Sequence, residues 1–446
     1  MDIQFEKTGE VTGTLVVTLT PSDYADAYAK NLKQTARSLT LPGFRPGKAP
    51  VALVKKRVGE EVLAEEVNRL VSEALDKHIK DNDLPLLMSP FSSEANKDVR
   101  IIEGETFTFT FDVALKPAFE LNLSADDTLP YYELTVAEQT IDQQVEAYRR
   151  RGGSYQKVED YADNDMVKGD LTEVGVEGGI HVEGVIMLPV TIKNAEQKAL
   201  FNGAKVGDIL TINPSQAYEG NDVQLAALLK IDKEEAPQHT GDFTLQISEL
   251  TRYVPGELNQ ALYDEAFPEA GITTEEAFRQ AIHDQIAAQY ASEAKYKFIL
   301  DLSNYTKQKV GALPFPEELL KRNITPKEGV SEEDQEKDFQ RQLEGLKWEL
   351  ILEKLSLAYD IKVEPAEVIE MAKEHVRQQY AAYGLLSVKE EYLIEGASQL
   401  LKDRQQIANL QFRCMAEKVA DKVKEIVILD KKTVTPEEFH QLANEA

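Results

Sequence analysis

From Pro255 onward, nearly 190 residues carry apolar side chains at helical spacing almost without interruption. One helix is predicted over about Thr274 to Val310. A second is predicted over Ser331 to Tyr359, where Phe339, Leu343, Leu346, Leu350 and Leu357 recur at intervals of three, four or seven. Glu364-Pro365 opens a third, and a fourth is expected from about Val388 to Val427. A helix of 30 residues is about 45 Å long, more than the width of a compact small domain. No repeat period runs through the region, so a solenoid is a poor fit and helical arms are the better reading.

The residues before Pro255 follow other periods. Val11 to Thr20 alternates as a strand, and Thr20-Pro21 opens a helix carrying Tyr24, Tyr28, Leu32 and Leu39. Pro50 starts a short helix to Val58, and a further helix is predicted from Glu60 to Lys80. Arg100 to Val113 alternates again as a strand. The first unit is therefore expected to be α+β and to cover residues 1–118. Phe119 to Tyr131 is polar and rich in turn formers, so residues 119–152 are expected as a linker followed by a charged helix from Thr135 to Arg151. Residues 153–252 carry glycines and short alternating runs (Ile180 to Val185, Met187 to Ile192, Ile209 to Ile212, Asp242 to Leu250), the pattern of a small, mostly β domain. Residues 253–446 form the helical unit.

Composition narrows the function classes. The 446 residues hold 50 Lys+Arg against 78 Asp+Glu, a net charge of −28, which disfavours general nucleic-acid binding and DNA as a partner. A single cysteine, Cys414, leaves no intramolecular disulfide and no cysteine-based metal site. MDIQFEKTGE lacks the basic-then-apolar order of an export leader, and no run approaches 18 apolar residues, so a cytoplasmic compartment without membrane association is expected. The six histidines are scattered and no phosphate-loop motif occurs. Neither a metal, a nucleotide nor another cofactor is expected, and no catalytic acid, base or nucleophile stands out.

The acidity is unevenly spread. Between Lys30 and Val58 stand eight basic residues (Lys30, Lys33, Arg37, Arg45, Lys48, Lys55, Lys56 and Arg57) and no Asp or Glu. At the centre is a loop, Leu41 to Pro50, stiffened by three prolines and turned by Gly43 and Gly47. Phe44 and Arg45 at its tip suit a structured RNA with protein at its surface: the guanidinium forks onto phosphate and the ring packs beside it. A tight interhelix turn whose Phe44 folds back onto the core would use the same residues.

Gly43-Phe44-Arg45-Pro46-Gly47-Lys48-Ala49-Pro50 resembles the G-F-R-x-G-K-x-P loop of trigger factor, the ribosome-associated bacterial chaperone family. Pro255-Gly256-Glu257-Leu258-Asn259 and Phe315-Pro316-Glu317-Glu318-Leu319-Leu320 resemble segments of that family's last domain. The resemblance implies a multidomain α+β chain: an α+β ribosome-binding domain, a small mostly-β FKBP-like domain and an extended all-α C-terminal domain with arms. It implies Gly43, Phe44, Arg45, Pro46, Gly47 and Lys48 as the contact to the large ribosomal subunit, protein and rRNA, beside the exit tunnel. It also implies nascent or unfolded polypeptides as clients, and self-association into a homodimer off the ribosome. The commonest family form carries Lys after the Arg; Pro46 here removes one charge.

The FKBP-like domain of that family catalyses prolyl isomerisation, which needs an aromatic, water-poor pocket. Asp165 to Asp170 and Gly203 to Asp208 resemble framework motifs, and Pro214 and Tyr218 resemble a P-x-x-Y with one extra residue. The pocket motifs fit poorly: Leu171-Thr172-Glu173 replaces F-T-G, Val182-Glu183 replaces an F-E pair, and Asn194 to Ala199 replaces the I-P-G-F turn. Val182 and Tyr218 thus mark a degenerate pocket, and little or no isomerase activity is expected. An active FKBP-type isomerase with helical extensions is the rival reading, and it requires an intact pocket. On the arms, Phe339, Leu343, Leu346, Trp348 and Leu350, and on the other side Tyr380, Tyr383, Leu385 and Leu386, are candidates for client contact, although for any one of them internal packing is the commoner role.

Overall fold

The computed structural model describes residues 1–39, 42, 44, 45, 48–268, 270–322, 324, 329–383, 385 and 388–444. The first unit holds strands β1 (Asp2–Lys7) and β2 (Thr12–Leu19), helices α1 (Pro21–Ser38) and α2 (Val51–Asp81), and strands β3 (Phe91–Ser92) and β4 (Phe107–Ala114). The strands form an antiparallel sheet in the order β1-β2-β4-β3. Alternation along β2 sends Leu15, Val17 and Leu19 into a core shared with Tyr24 and Tyr28 of α1 and Leu63 and Val67 of α2. The Asp23 carboxylate accepts the Thr20 N–H at 2.7 Å, closing the start of α1.

Two expectations for this unit change. The two helices predicted over 51–80 are one helix of 31 residues. Gly59 does not break it; it marks where α1 crosses, since a Cβ there would lie 3.0 Å from the Tyr28 hydroxyl. The strand predicted from Arg100 begins only at Phe107. The Tyr28 neighbour Tyr24 explains the delay: its hydroxyl accepts the Gly104 N–H at 2.9 Å and donates to the Glu105 carbonyl at 2.8 Å, so a side chain holds that turn.

The segment expected as a linker is structured. Leu123 is buried in the helical body, and Thr128–Leu134 forms β5, paired in parallel along its whole length with β11 (Ile428–Val434). Asp127 fixes the junction. Its buried carboxylate accepts from the Tyr305 hydroxyl and the Lys309 ammonium, and at 2.8 Å from the Ser124 N–H, while its carbonyl accepts the Ile428 N–H at 2.9 Å. Helix α3 (Glu138–Arg151) follows.

The middle unit contains β6 (Ser154–Val158), β7 (Met166–Glu173), β8 (His181–Met187), α4 (Ala195–Ala199), β9 (Ile209–Ile212), α5 (Pro214–Ala217), α6 (Asp222–Leu229) and β10 (Phe243–Val254). Its antiparallel sheet runs β6-β10-β7-β8, with β9 on β10. The strand expected over Met187 to Ile192 does not form. β8 ends at Met187, and Pro189, which has no N–H for a ladder, opens a short 3-10 turn to Thr191.

The helical unit follows with α7 (Gln260–Ala266), α8 (Glu275–Val310), α9 (Glu317–Lys321), α10 (Glu332–Ala358), α11 (Pro365–Ala382), α12 (Glu390–Leu400), α13 (Arg404–Lys424), strand β11 and α14 (Pro436–Asn444). The 36 residues of α8 span about 54 Å. The single helix expected over 388–427 is two, because Asp403 caps α13, accepting from the Gln405 N–H at 2.7 Å. Phe298, Leu302, Trp348, Ile351, Leu352, Val419 and Val423 close a core around Leu123 and Leu129. A second core joins Ile141 and Tyr148 of α3 to Tyr263 of α7 and Phe278 of α8, and so packs the helix that leads into the middle unit against the helices that follow it.

Candidate functional site

The basic loop stands at the head of α2. Ala49 is buried in the first unit's core, and the Leu53 N–H donates to the Pro50 carbonyl at 2.9 Å, so the loop is anchored on its C-terminal side. The Lys48 N–H donates to the Arg45 carbonyl at 2.9 Å, closing a turn at the tip. Phe44 is 40% exposed and does not fold onto the core; Arg45, Lys48, Val51 and Leu53 beside it are exposed too. Gly43, Pro46 and Gly47 lie outside the described residues.

Among the described residues, Lys55 alone of the eight basic side chains has a carboxylate partner within salt-bridge reach, Glu103 at 2.6 Å. That pairing raises the Lys55 pKa. The first turn of α2 contains no acidic residue, so the positive end of the helix adds to the same field. An exposed ring beside unpaired cations is chemically complementary to an anionic, partly apolar surface.

In the middle unit, Val182 and Tyr218 are both buried, in one cluster with Phe201, Leu225, Leu229 and Phe243. Burial pushes the Tyr218 phenol up. Tyr161 packs against Phe201 with ring centroids 5.8 Å apart. These side chains fill the core between the sheet and α6; Val182 and Tyr218 do not open to solvent as walls of a cup.

The arm residues divide sharply. Phe339 and Leu343 are buried in one cluster with Leu320, against which Phe315, Ile324 and Leu346 of the same unit and Leu87 and Met88 of the first unit pack; Trp348 and Leu350 are buried as well. The Phe339–Leu343 face of α10 is therefore covered by the chain itself, where the sequence offered it as a surface for clients, whereas Trp348 lies in the core of the helical body and shows one edge to a cleft. Tyr380 is half-buried, Tyr383 is 86% exposed and Leu385 is exposed; Leu386 lies outside the described residues. Tyr392 and Ile394 of α12, which sequence reasoning did not select, are exposed near them in the chain. Their places on an otherwise ordinary amphipathic helix give no local signal.

A cleft of about 1320 Å³ opens between α8, α11, α13 and α14. Its floor is apolar, with Ile299, Leu300, Trp348, Met371 and Phe412. Its rim is charged but largely self-paired: Lys295 with Glu417 at 3.0 Å and Asp421 at 2.9 Å, and Lys418 with Glu367 at 2.7 Å. The Lys418 ammonium holds the Glu367 carboxyl below its usual range. Cys414 lines the cleft, and burial pushes its thiol up, so it stays protonated and unreactive at neutral pH. The volume exceeds a typical small-molecule pocket and suits a polypeptide segment. Among the described residues no cluster of His, Cys, Asp and Glu could hold a metal ion, and no helix is long and apolar enough to cross a membrane.

Three family models match successive parts of the chain. "Bacterial trigger factor protein (TF)" matches residues 1–148, "Probable trigger factor, FKBP-like domain" residues 155–255, and "Probable trigger factor, C-terminal domain" residues 294–443. The trigger factor of Francisella tularensis subsp. holarctica is 24% identical in an alignment of 475 positions covering 100% of this chain and 98% of that one. That of Mycobacteroides abscessus is 24% identical over 363 residues, 77% of this chain and 71% of the relative. That of Acetivibrio thermocellus is 28% identical over 184 residues, spanning 41% of each chain. A solved structure described as "Promiscuous Substrate Recognition in Folding and Assembly Activities of the Trigger Factor Chaperone" aligns with 95% of this chain and 99% of its own, at 17% identity and a TM-score of 0.46.

Proposed function

Since the chain belongs to the trigger factor family, we propose that it is an ATP-independent chaperone of the cytoplasm that docks on the large ribosomal subunit beside the exit tunnel and shelters emerging polypeptides. Residues 1–118 dock, residues 153–252 keep an FKBP-like fold without its pocket, and residues 253–446 hold clients. Residues 119–134 work with this last part, because β5 pairs with β11 and Leu129 lies in the helical core.

The observation that carries the reading is the exposed Phe44–Arg45 tip, set among unpaired cations in a chain of net charge −28. Phosphate contacts give the dock its affinity, and the ring adds a short-range apolar contact. Clients lie in the cleft floored by Trp348 and Phe412 and reach the exposed Tyr383, Leu385, Tyr392 and Ile394 of the second arm. A shallow apolar floor within a self-paired ionic rim favours weak binding of unrelated unfolded segments, with release as they fold. Off the ribosome the same exposed surfaces support a homodimer.

Co-sedimentation with ribosomes tests the dock. Wild type pellets with them at moderate salt and Phe44→Ala/Arg45→Ala stays in the supernatant; equal pelleting of both ends the assignment.

A further inference from the structure

Phe339 and Leu343 sit on the N-terminal half of α10, in a cluster shared with Phe315, Leu320 and Ile324 just before that helix and, across the chain, with the first unit. There the chain after α2 runs Leu84-Pro85-Leu86-Leu87-Met88, apolar and outside any helix or strand, fastened to the end of β4 by a single Leu86–Leu115 bridge, in which the Leu87 N–H donates to the Ala114 carbonyl at 2.8 Å and the Lys116 N–H to the Pro85 carbonyl at 2.7 Å. Its side chains diverge. Leu84 and Leu86 pack on the first unit's own core, whereas Leu87 and Met88 pack on Leu320, Phe339 and Leu343 of the arm. Two ion pairs flank this contact: Arg322 to Asp112 at 2.6 Å and Lys116 to Glu353 at 2.6 Å. Both are partly solvent-exposed, so both are weak and salt-sensitive.

An irregular Leu- and Met-bearing segment lying on an apolar helical face is what an unfolded client presents. We infer that the α9–α10 arm tip is a second client surface, selective for short extended segments rich in Leu and Met, and that Leu87-Met88 occupies it as a built-in stand-in. This rests on the reading that the helical unit holds clients. The small apolar contact and two exposed ion pairs make the covered state only marginally favoured. A client therefore competes with the chain's own segment, and its apparent affinity is reduced by the fraction of molecules in which the tip is covered. Lys321, whose ammonium lies 4.6 Å from the centre of the Phe339 ring, stays with the arm when the tip is uncovered.

The test uses the full chain and a fluorescein-labelled peptide of its own residues 82–90, followed by anisotropy. Leu87→Ser/Met88→Ser removes the stand-in, and Asp112→Ala/Lys116→Ala removes the ion pairs without touching the apolar contact. Each variant is expected to bind the peptide about three- to ten-fold more tightly than wild type. Raising salt is expected to tighten binding to wild type and to leave the ion-pair variant unmoved. Amide exchange over 332–346 should quicken in both variants. Unchanged peptide affinity in both variants, with wild-type melting temperatures, overturns the inference. A reduced, permanently unfolded polypeptide serves as the control. If wild type binds it while the variants gain nothing for the peptide, the masked surface fails alone; if wild type does not bind it, the chaperone reading fails.

Discussion

The proposed ribosome docking should separate into two measurable parts, because Phe44 and Arg45 would act through different physics. Arg45, Lys48, Lys56 and Arg57 have no carboxylate partner among the described residues, while Lys55 is paired with Glu103. With each of the four meeting one phosphate, log affinity falls with log salt at a slope of about −2.8 to −3.6. Affinity then drops roughly 50- to 150-fold between 50 and 200 mM salt. Arg45→Ala removes one contact and flattens the slope by about one. Phe44 is 40% exposed before docking. Burying that remainder is worth about 0.6–1.2 kcal/mol, as two fifths of a full Phe burial. Phe44→Ala therefore lowers affinity about three- to eight-fold at every salt concentration and leaves the slope alone. Lys55→Ala, which removes a charge already neutralised, should change the slope less than Arg45→Ala does. Labelled protein titrated with ribosomes at four salt concentrations reads both quantities. A slope changed by Phe44→Ala, or a parallel shift caused by Arg45→Ala, refutes this division of labour.

Other consequences follow from the core and the junction. In a proline-limited refolding assay the chain should not raise the rate above the uncatalysed reaction, since Val182 and Tyr218 are core residues; strong acceleration would restore the isomerase reading. Asp127 predicts a pH dependence. Burial raises its pKa, but Lys309, Tyr305 and the Ser124 amide together bring it below the ordinary value. A depressed folded-state pKa contributes stability above the unfolded value and loses it as pH falls through the folded one. The stability gap between wild type and Asp127→Asn in urea melts should therefore be full at pH 6 and shrink below about pH 4; a gap independent of pH would contradict it. Gly169 lies where β7 meets β10, and a Cβ there would be 2.3 Å from the Gln246 carbonyl oxygen. Gly169→Ala should destabilise the middle unit by about 2 kcal/mol or more, visible as a lower melting temperature.

Much of this was readable along the chain, and what was not has a common cause. Helical spacing placed α8 and α10, and the unbalanced charge between Lys30 and Val58 located the loop, because both are local patterns. The pairing of β5 with β11 joins residues as far apart as Glu133 and Lys431, separated by 298 positions. No local signal shows that a Thr-Leu-Pro-Tyr-Tyr run will find a partner there, so the segment read as a linker. Gly59 shows the same limit within one helix: a glycine signals a break unless Tyr28, on another element, requires the space. The cleft draws its floor from several helices, and no spacing within one of them announces Ile299, Met371 and Phe412 as neighbours.

Phe339 and Leu343 carry that limit into function. Period identifies the face of α10 that is apolar, but not what covers it, and here the first unit supplies part of the cover. On the proposed readings, the two ends of that unit should respond to salt in opposite directions. At the Phe44–Arg45 end, salt should weaken attraction to phosphate and loosen the proposed dock. At the Asp112–Lys116 end, salt should weaken the pairs to Arg322 and Glu353 and so favour uncovering of the arm. A chain freed from ribosomes by salt should therefore be a better binder of extended Leu- and Met-rich segments than one held at low salt. Within a single salt series, a dock and an arm that weaken together would mean that the two ends share one electrostatic contact, and the opposed responses argued from these residues would not hold.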